Sequence, residues 1–142
     1  MSKFLTKEEL KTVAAMPTID KLTAGNQFVI EQIIDESIAL MQSYLSRHYD
    51  TDAIFNATGN ARHLTVLKYL KDIVLFEIYD RLTREENEVA RRRYDTAIQW
   101  LNDLNSGTLA DSTLPPAQAP EGQDATSGDV RFGSNTQYTS RY

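Results

Sequence analysis

Residues 83–107, TREENEVARRRYDTAIQWLNDLNSG, constrain the fold more than any other part of the chain. Val89, Ala90, Tyr94, Ala97, Ile98, Leu101 and Leu104 recur every three or four residues, the spacing of one helical face. An amphipathic helix gains most of its stability by burying that face, so the preceding chain has to supply the surface that covers it. The start and stop are also written locally. Thr83 followed by Glu86 predicts a capping box, in which each side chain satisfies the other residue's backbone N–H. Glu85 and Glu86 suit the positive end of the helix dipole, and Gly107 can take the left-handed conformation that closes a helix. The element should run about six turns, about 30 Å.

The earlier segments repeat this logic. Thr6 and Glu9 predict a second capping box opening a short N-terminal helix over residues 6–15, with Leu10, Val13 and Ala14 inward and Pro17 ending it. Residues 18–26 read as a turn or one weak helical turn. Asn26 is a good N-cap for a long helix over residues 27–47, with Ile30, Ile33, Ile34, Ile38, Met41, Tyr44 and Leu45 on one face. Glu31, Gln32, Asp35, Glu36 and Gln42 hold the other face. Residues 48–60 read as a loop anchored by Tyr49, Ile54 and Phe55. A third helix follows over residues 61–82, with Leu64, Leu67, Leu70, Ile73, Val74, Ile78 and Leu82 on one face. Tyr69, Phe76 and Tyr79 widen its apolar surface, which predicts burial on more than one side, in the middle of the domain or against a neighbouring subunit. Leu82 passes directly into Thr83, so the last two helices should form a tight antiparallel hairpin. The expected fold is all-α: a small antiparallel bundle of three long helices plus a short N-terminal helix, occupying residues 1–107.

After Gly107 the composition changes. Residues 108–142 hold three of the four prolines and three of the six glycines, and their only large aliphatics are Leu109, Leu114 and Val130. Such a segment cannot bury enough apolar surface to offset its ordering entropy. It is expected to be an extended C-terminal arm that orders on a partner. Val130, Arg131, Phe132, Tyr138, Arg141 and Tyr142 are the candidate partner-binding residues, because aromatics and arginines dominate interface hot spots.

The net charge of −5 argues against a chain built to attract nucleic acid or an anionic membrane. There is no cysteine, so disulfides, thiolate nucleophiles and thiolate metal sites are excluded, and a reducing cytoplasm is compatible. No apolar run is long enough to span a bilayer, and the N-terminus has acids early and no apolar core, unlike a secretory signal. His48 and His63 lack an HExxH context or ligand-spaced carboxylates, and no glycine-rich phosphate loop or GxSxG elbow occurs. No catalytic residue, metal site or cofactor is expected.

Two charge and aromatic features invite assembly roles. Arg91, Arg92 and Arg93 are consecutive, so they point about 100° apart and cannot all serve one surface. The plain reading is a solvated face with Glu88–Arg92 and Arg91–Asp95 pairs at i,i+4. The functional reading places Arg91 and Arg92 toward DNA phosphates and Arg93 across a subunit boundary. Tyr69, Phe76, Tyr79 and Trp100, at helical spacing, read first as core and otherwise as subunit contacts.

Arg93-Tyr94-Asp95-Thr96-Ala97-Ile98-Gln99-Trp100-Leu101, followed by Leu104 and Gly107, resembles the last helix of the head–tail connector (adaptor) proteins of tailed phages and Mu-like prophages. Tyr44-Leu45-Ser46-Arg47-His48-Tyr49 is similar to the end of that family's long helix, and Leu70-Lys71-Asp72-Ile73 to its apolar helix with an Asp-Ile pair. Val130-Arg131-Phe132-Gly133-Ser134 resembles the glycine, aromatic and arginine run near many members' ends. Residues 50–54 depart from the pattern, which has a proline there. The resemblance covers about residues 28–107 plus the last dozen. It implies a non-enzymatic virion protein at the head–tail junction, assembled in the bacterial host cytoplasm. It implies a homo-oligomeric ring, commonly of twelve copies, beneath the portal protein, extending the DNA channel, with non-specific proximity to DNA. The next tail-side connector or stopper protein would dock on it, and its arm would clasp the portal or a neighbouring subunit. No membrane partner is implied. The alternative from a different class is a small helical DNA-binding or regulatory protein.

Overall fold

A computed structural model describes residues 4–24, 26–84 and 86–117. It is mostly helical, with several helices packed together. Their order is a 3-10 turn (Lys7–Thr12), α1 (Met16–Thr23), α2 (Gln27–Leu45), α3 (Thr51–Phe55), a second 3-10 turn (Gly59–Ala61), α4 (Leu64–Leu82) and α5 (Glu88–Ser106). The three long helices α2, α4 and α5 all touch one another, and α1 also packs on α4. This explains the wide apolar surface of α4: it lies in the middle. Leu67, Leu70, Ile73, Val74, Leu75 and Ile78 are all buried on it. Ile30, Ile33, Ile34, Met41 and Leu45 from α2, and Ala97, Trp100, Leu101 and Leu104 from α5, complete the core.

The sequence-expected capping at Thr6 and Asn26 is present. Glu9 Oε1 accepts from the Thr6 N–H at 3.1 Å, and Asn26 Oδ1 accepts from the Phe28 N–H at 3.1 Å. Other boundaries differ for physical reasons. Pro17 does not end a helix but lies in the first turn of α1, where its missing N–H has no helical partner to lose. Within residues 48–60, Asp50 caps a short helix by accepting the Ala53 N–H at 3.1 Å. α4 begins at Leu64 rather than Ala61, capped by His63.

The largest revision concerns the start of α5. Thr83 instead closes α4, its N–H donating to the Tyr79 carbonyl at 3.2 Å. The chain needs several residues to reverse direction before a new helix can start, and the cap falls at Asn87, whose Oδ1 accepts from the Ala90 N–H at 3.0 Å. Replacing Asn87 with Ala should therefore cost about 1 kcal/mol of unfolding free energy. Denaturant titration reads this directly, and an unchanged midpoint would reject Asn87 as the cap. At the other end Gly107 is left-handed, at φ 85, as its identity suggests.

Residues 108–117, assigned by composition to the arm, lie against the body. Leu114 is 3% exposed and belongs to the core. Pro116 forms an antiparallel bridge with Tyr49, the Asp50 N–H donates to the Pro115 carbonyl at 2.9 Å, and the Ala117 N–H donates to the His48 carbonyl at 3.0 Å. This strap fixes where the chain stands at Ala117. No helix among the described residues is long and apolar enough to cross a membrane.

Candidate partner-binding surfaces

Helices α4 and α5 run antiparallel, and two aromatic pairs span their seam. Phe76 stacks on Tyr94 with ring centroids 4.2 Å apart, and Tyr69 lies against Trp100 at 4.7 Å. Trp100 is a core residue, whereas Tyr69, Phe76 and Tyr79 remain half-buried. Burial pushes the Tyr94 phenol pKa up, with negative charge from Glu77 adding to the shift. These rings hold the hairpin together and still offer edges to a partner. The sequence read Tyr69, Phe76, Tyr79 and Trp100 first as core; Trp100 is core, and the other three are partly buried.

Arg91, Arg92 and Arg93 are all exposed, and each borders a different hollow. Arg91 borders one of about 280 Å³ at the α4–α5 turn, with Phe76, Tyr79, Arg84 and Asn87. Arg92 borders a shallow groove floored by Tyr69 and Trp100. Arg93 borders a third with Thr12, Lys68, Lys71 and Asp72. The angular argument from the sequence thus holds. The expected Glu88–Arg92 and Arg91–Asp95 pairs do not form, and among the described residues none of the three arginines is in an ion pair within 4 Å.

Asp72 is the buried charge of this region, 5% exposed, with Lys68 Nζ 3.6 Å away. Burial raises its carboxyl pKa, and the positive charges of Lys68, Arg93 and Lys71 pull the other way. Lys68 also sits 4.1 Å from the centre of the Tyr69 ring, and Lys71 Nζ donates to Thr12 Oγ1 at 3.0 Å.

His63 holds the strap by its ring and His48 by its backbone carbonyl. His48 Nε2 donates to the Asn105 carbonyl at 3.0 Å, so its ring serves the end of α5. His63 Nδ1 accepts the Val66 N–H at 3.3 Å, which leaves Nε2 to donate to Thr113 Oγ1 at 2.6 Å. Thr113 in turn donates to Asp111, and these hydrogen bonds hold the Asp111 carboxyl pKa below the usual range. The Asp111 N–H donates to the Tyr49 hydroxyl at 3.2 Å. Among the described residues no group of three or more metal-ligating side chains forms.

The arm candidates Val130, Arg131, Phe132, Tyr138, Arg141 and Tyr142 lie outside the described residues. Sequence reasoning missed two features. Arg62 bonds the Phe4 and Gly59 carbonyls and both oxygens of Glu9; nothing local marks an arginine in a loop as a tertiary hub. Phe28 is 71% exposed on α2, and its signal was legible, because it falls off the Ile30, Ile33, Ile34 stripe.

Residues 1–131 match the family described as Bacteriophage Mu, Gp36. No curated protein and no solved structure matches the chain.

Proposed function

Since the chain belongs to the bacteriophage Mu Gp36 family and is a phage protein, we propose that it is a structural, non-enzymatic component of the virion. In this reading it is an adaptor that assembles as a ring beneath the portal, continues the DNA channel and docks the next tail-side protein. The observation that carries the reading is the strap. It anchors Ala117 beside His48 and Asp50, at the end of the bundle where α2 and α5 finish and α4 begins. Everything from residue 118 onward, including the six aromatic, arginine and valine residues named above, is therefore launched from one defined place. A rigid body with an anchored, partner-seeking arm suits an assembly protein, because repeated weak arm contacts around a ring sum to avidity.

The half-buried aromatic seam and the exposed arginines support the same reading, since aromatics and arginines dominate protein–protein contacts. Against the DNA-binding alternative, the three arginines diverge into separate hollows rather than forming one basic face. Binding to portal rings from the same genome, at a fixed ring-like ratio, is the property that tests the proposal.

A further inference from the structure

The hollow of about 340 Å³ beside α4 gathers three cations, Lys68, Lys71 and Arg93, around one acid, Asp72. Asp72 is 5% exposed, whereas Lys68 and Arg93 stand exposed, so solvent meets the positive charge rather than the negative. Lys68 Nζ is 3.6 Å from Asp72 and Lys71 Nζ donates to Thr12 at 3.0 Å, and each ammonium keeps further donors. The 3-10 turn that leads into Thr12 brings no balancing acid. In it Lys7 pairs with Asp20 at 2.7 Å, Glu9 pairs with Arg62 at 2.7 Å, and Glu8 and Lys11 offset each other in sum. Three cations against one acid leave a net +2 on a chain whose total is −5.

The chain carries a matching segment. Residues 118–129, QAPEGQDATSGD, hold Glu121, Asp124 and Asp129 and no lysine or arginine. They leave the body at Ala117, at the end of the bundle where α4 begins. Thr113, four residues before that exit, bonds His63, and Lys68 is five residues beyond His63. Ala117 therefore lies within about 30 Å of Lys68. The chain from Ala117 can extend about 24 Å to Asp124 and about 40 Å to Asp129, before the side chains add their own length. The acids can reach the hollow of their own subunit.

We propose that the acidic segment 118–129 folds back onto its own body, setting its carboxylates against Lys68, Lys71 and Arg93. Exposed ion pairs are individually weak, so a separate acidic chain gains little from this hollow. A tethered segment is present at about millimolar effective concentration, which favours the chain's own acids over those of another copy. Residues 130–142, with Val130, Arg131, Phe132, Tyr138, Arg141 and Tyr142, stay beyond the docked stretch and are left to a partner. The contact does not depend on which partner that is.

A water-soluble carbodiimide joins a carboxylate to a lysine amine with no spacer, and it can be applied to the dilute full-length chain. Equal amounts of unlabelled and ¹⁵N-labelled protein are mixed, treated and digested, and the linked peptides are read by mass spectrometry. The expected links run from Lys68 or Lys71 to Asp124 or Asp129, exceed those from Lys7 or Lys11, and join peptides of one label only. Raising the salt should suppress them by screening. Arg93→Glu, at an exposed position, keeps both lysines; it should cut the links at least about threefold while the helical circular dichroism is unchanged. Links spread evenly over all lysines, or a yield indifferent to Arg93→Glu, would overturn the docking. Links that mix the two labels would place the segment on another copy and overturn the intramolecular contact. If the links are absent and duplex DNA binds at low salt only while Arg93 is present, the hollow is a phosphate site instead.

Discussion

A chain ending at Gly107 is expected to melt about 10 °C below one ending at Ala117. Composition alone predicts the opposite, that residues 108–142 are dispensable to the body. But Leu114 is 3% exposed, and removing a buried leucine side chain costs about 2–4 kcal/mol including the cavity it leaves. The shorter chain also loses the Asp111 donor to the Tyr49 hydroxyl, the Thr113 acceptor for His63, and the Pro115 carbonyl that takes the Asp50 N–H. Tyr49, 9% exposed, would be opened to water. The total is about 3 kcal/mol, and calorimetry on the two truncations reads it. Equal melting temperatures would show that the strap adds nothing to the fold. The same pair separates two roles that one cut at Gly107 would confuse, since it removes a structural strap together with the candidate arm.

Arg62→Ala should be the most damaging single substitution away from the apolar core. The guanidinium is 14% exposed. It donates to the Phe4 carbonyl at 2.7 Å and the Gly59 carbonyl at 2.8 Å, and forks onto Glu9 at 2.7 and 2.9 Å. It therefore pins the N-terminal segment, including buried Phe4 and Leu5, to the turn that precedes α4. Losing it leaves two carbonyls and a carboxylate to find other donors, a cost of about 2–3 kcal/mol once the 30% exposure of Glu9 is allowed for. The pH dependence carries the signature. The hydrogen bonds from Arg62 hold the Glu9 carboxyl pKa below its ordinary value, outweighing the raising effect of burial. A lowered carboxyl pKa contributes stability that is complete above the unfolded value of about 4.3 and is lost as pH falls through the folded value. The gap between the parent and Arg62→Ala should thus be widest at neutral pH and narrow below about pH 4. Glu36, held low by Arg81, and Asp111, held low by Thr113, titrate in both chains and cancel from the difference. Denaturant unfolding at pH 7 and pH 3.5 makes the comparison. A gap that stays constant or widens in acid would remove Glu9 from the account.

The helical bundle was legible because its signals are local or periodic. The Ile30, Ile33, Ile34 stripe, the Leu70, Ile73, Val74 stripe and the Ala97, Leu101, Leu104 stripe each mark one buried face, and the structure buries all three. Caps were legible where one residue could serve one end, as at Asn26. They failed at Thr83, because a threonine–glutamate pair looks the same whether the chain is starting a helix or closing the previous one. The strap was illegible for a different reason. Leu114 stands among prolines and polar residues with no period, and only the apolar cluster that the distant helices build makes it a core residue. Trp100 and Tyr69 were readable as core from their helical spacing, but whether Tyr69 also meets another subunit is a property of the assembly, which no periodicity encodes.

An adaptor of the kind proposed should attach to the portal through residues 118–142. The direct test is co-sedimentation with portal rings from the same genome, comparing the full chain with one ending at Ala117, which retains the strap and hence the body. The full chain should sediment with the rings at a fixed ring-like ratio, and the shortened chain should remain in the supernatant while melting at the same temperature. Equal binding by both chains would move the attachment from the arm to the helical body. No binding by either would contradict the adaptor reading.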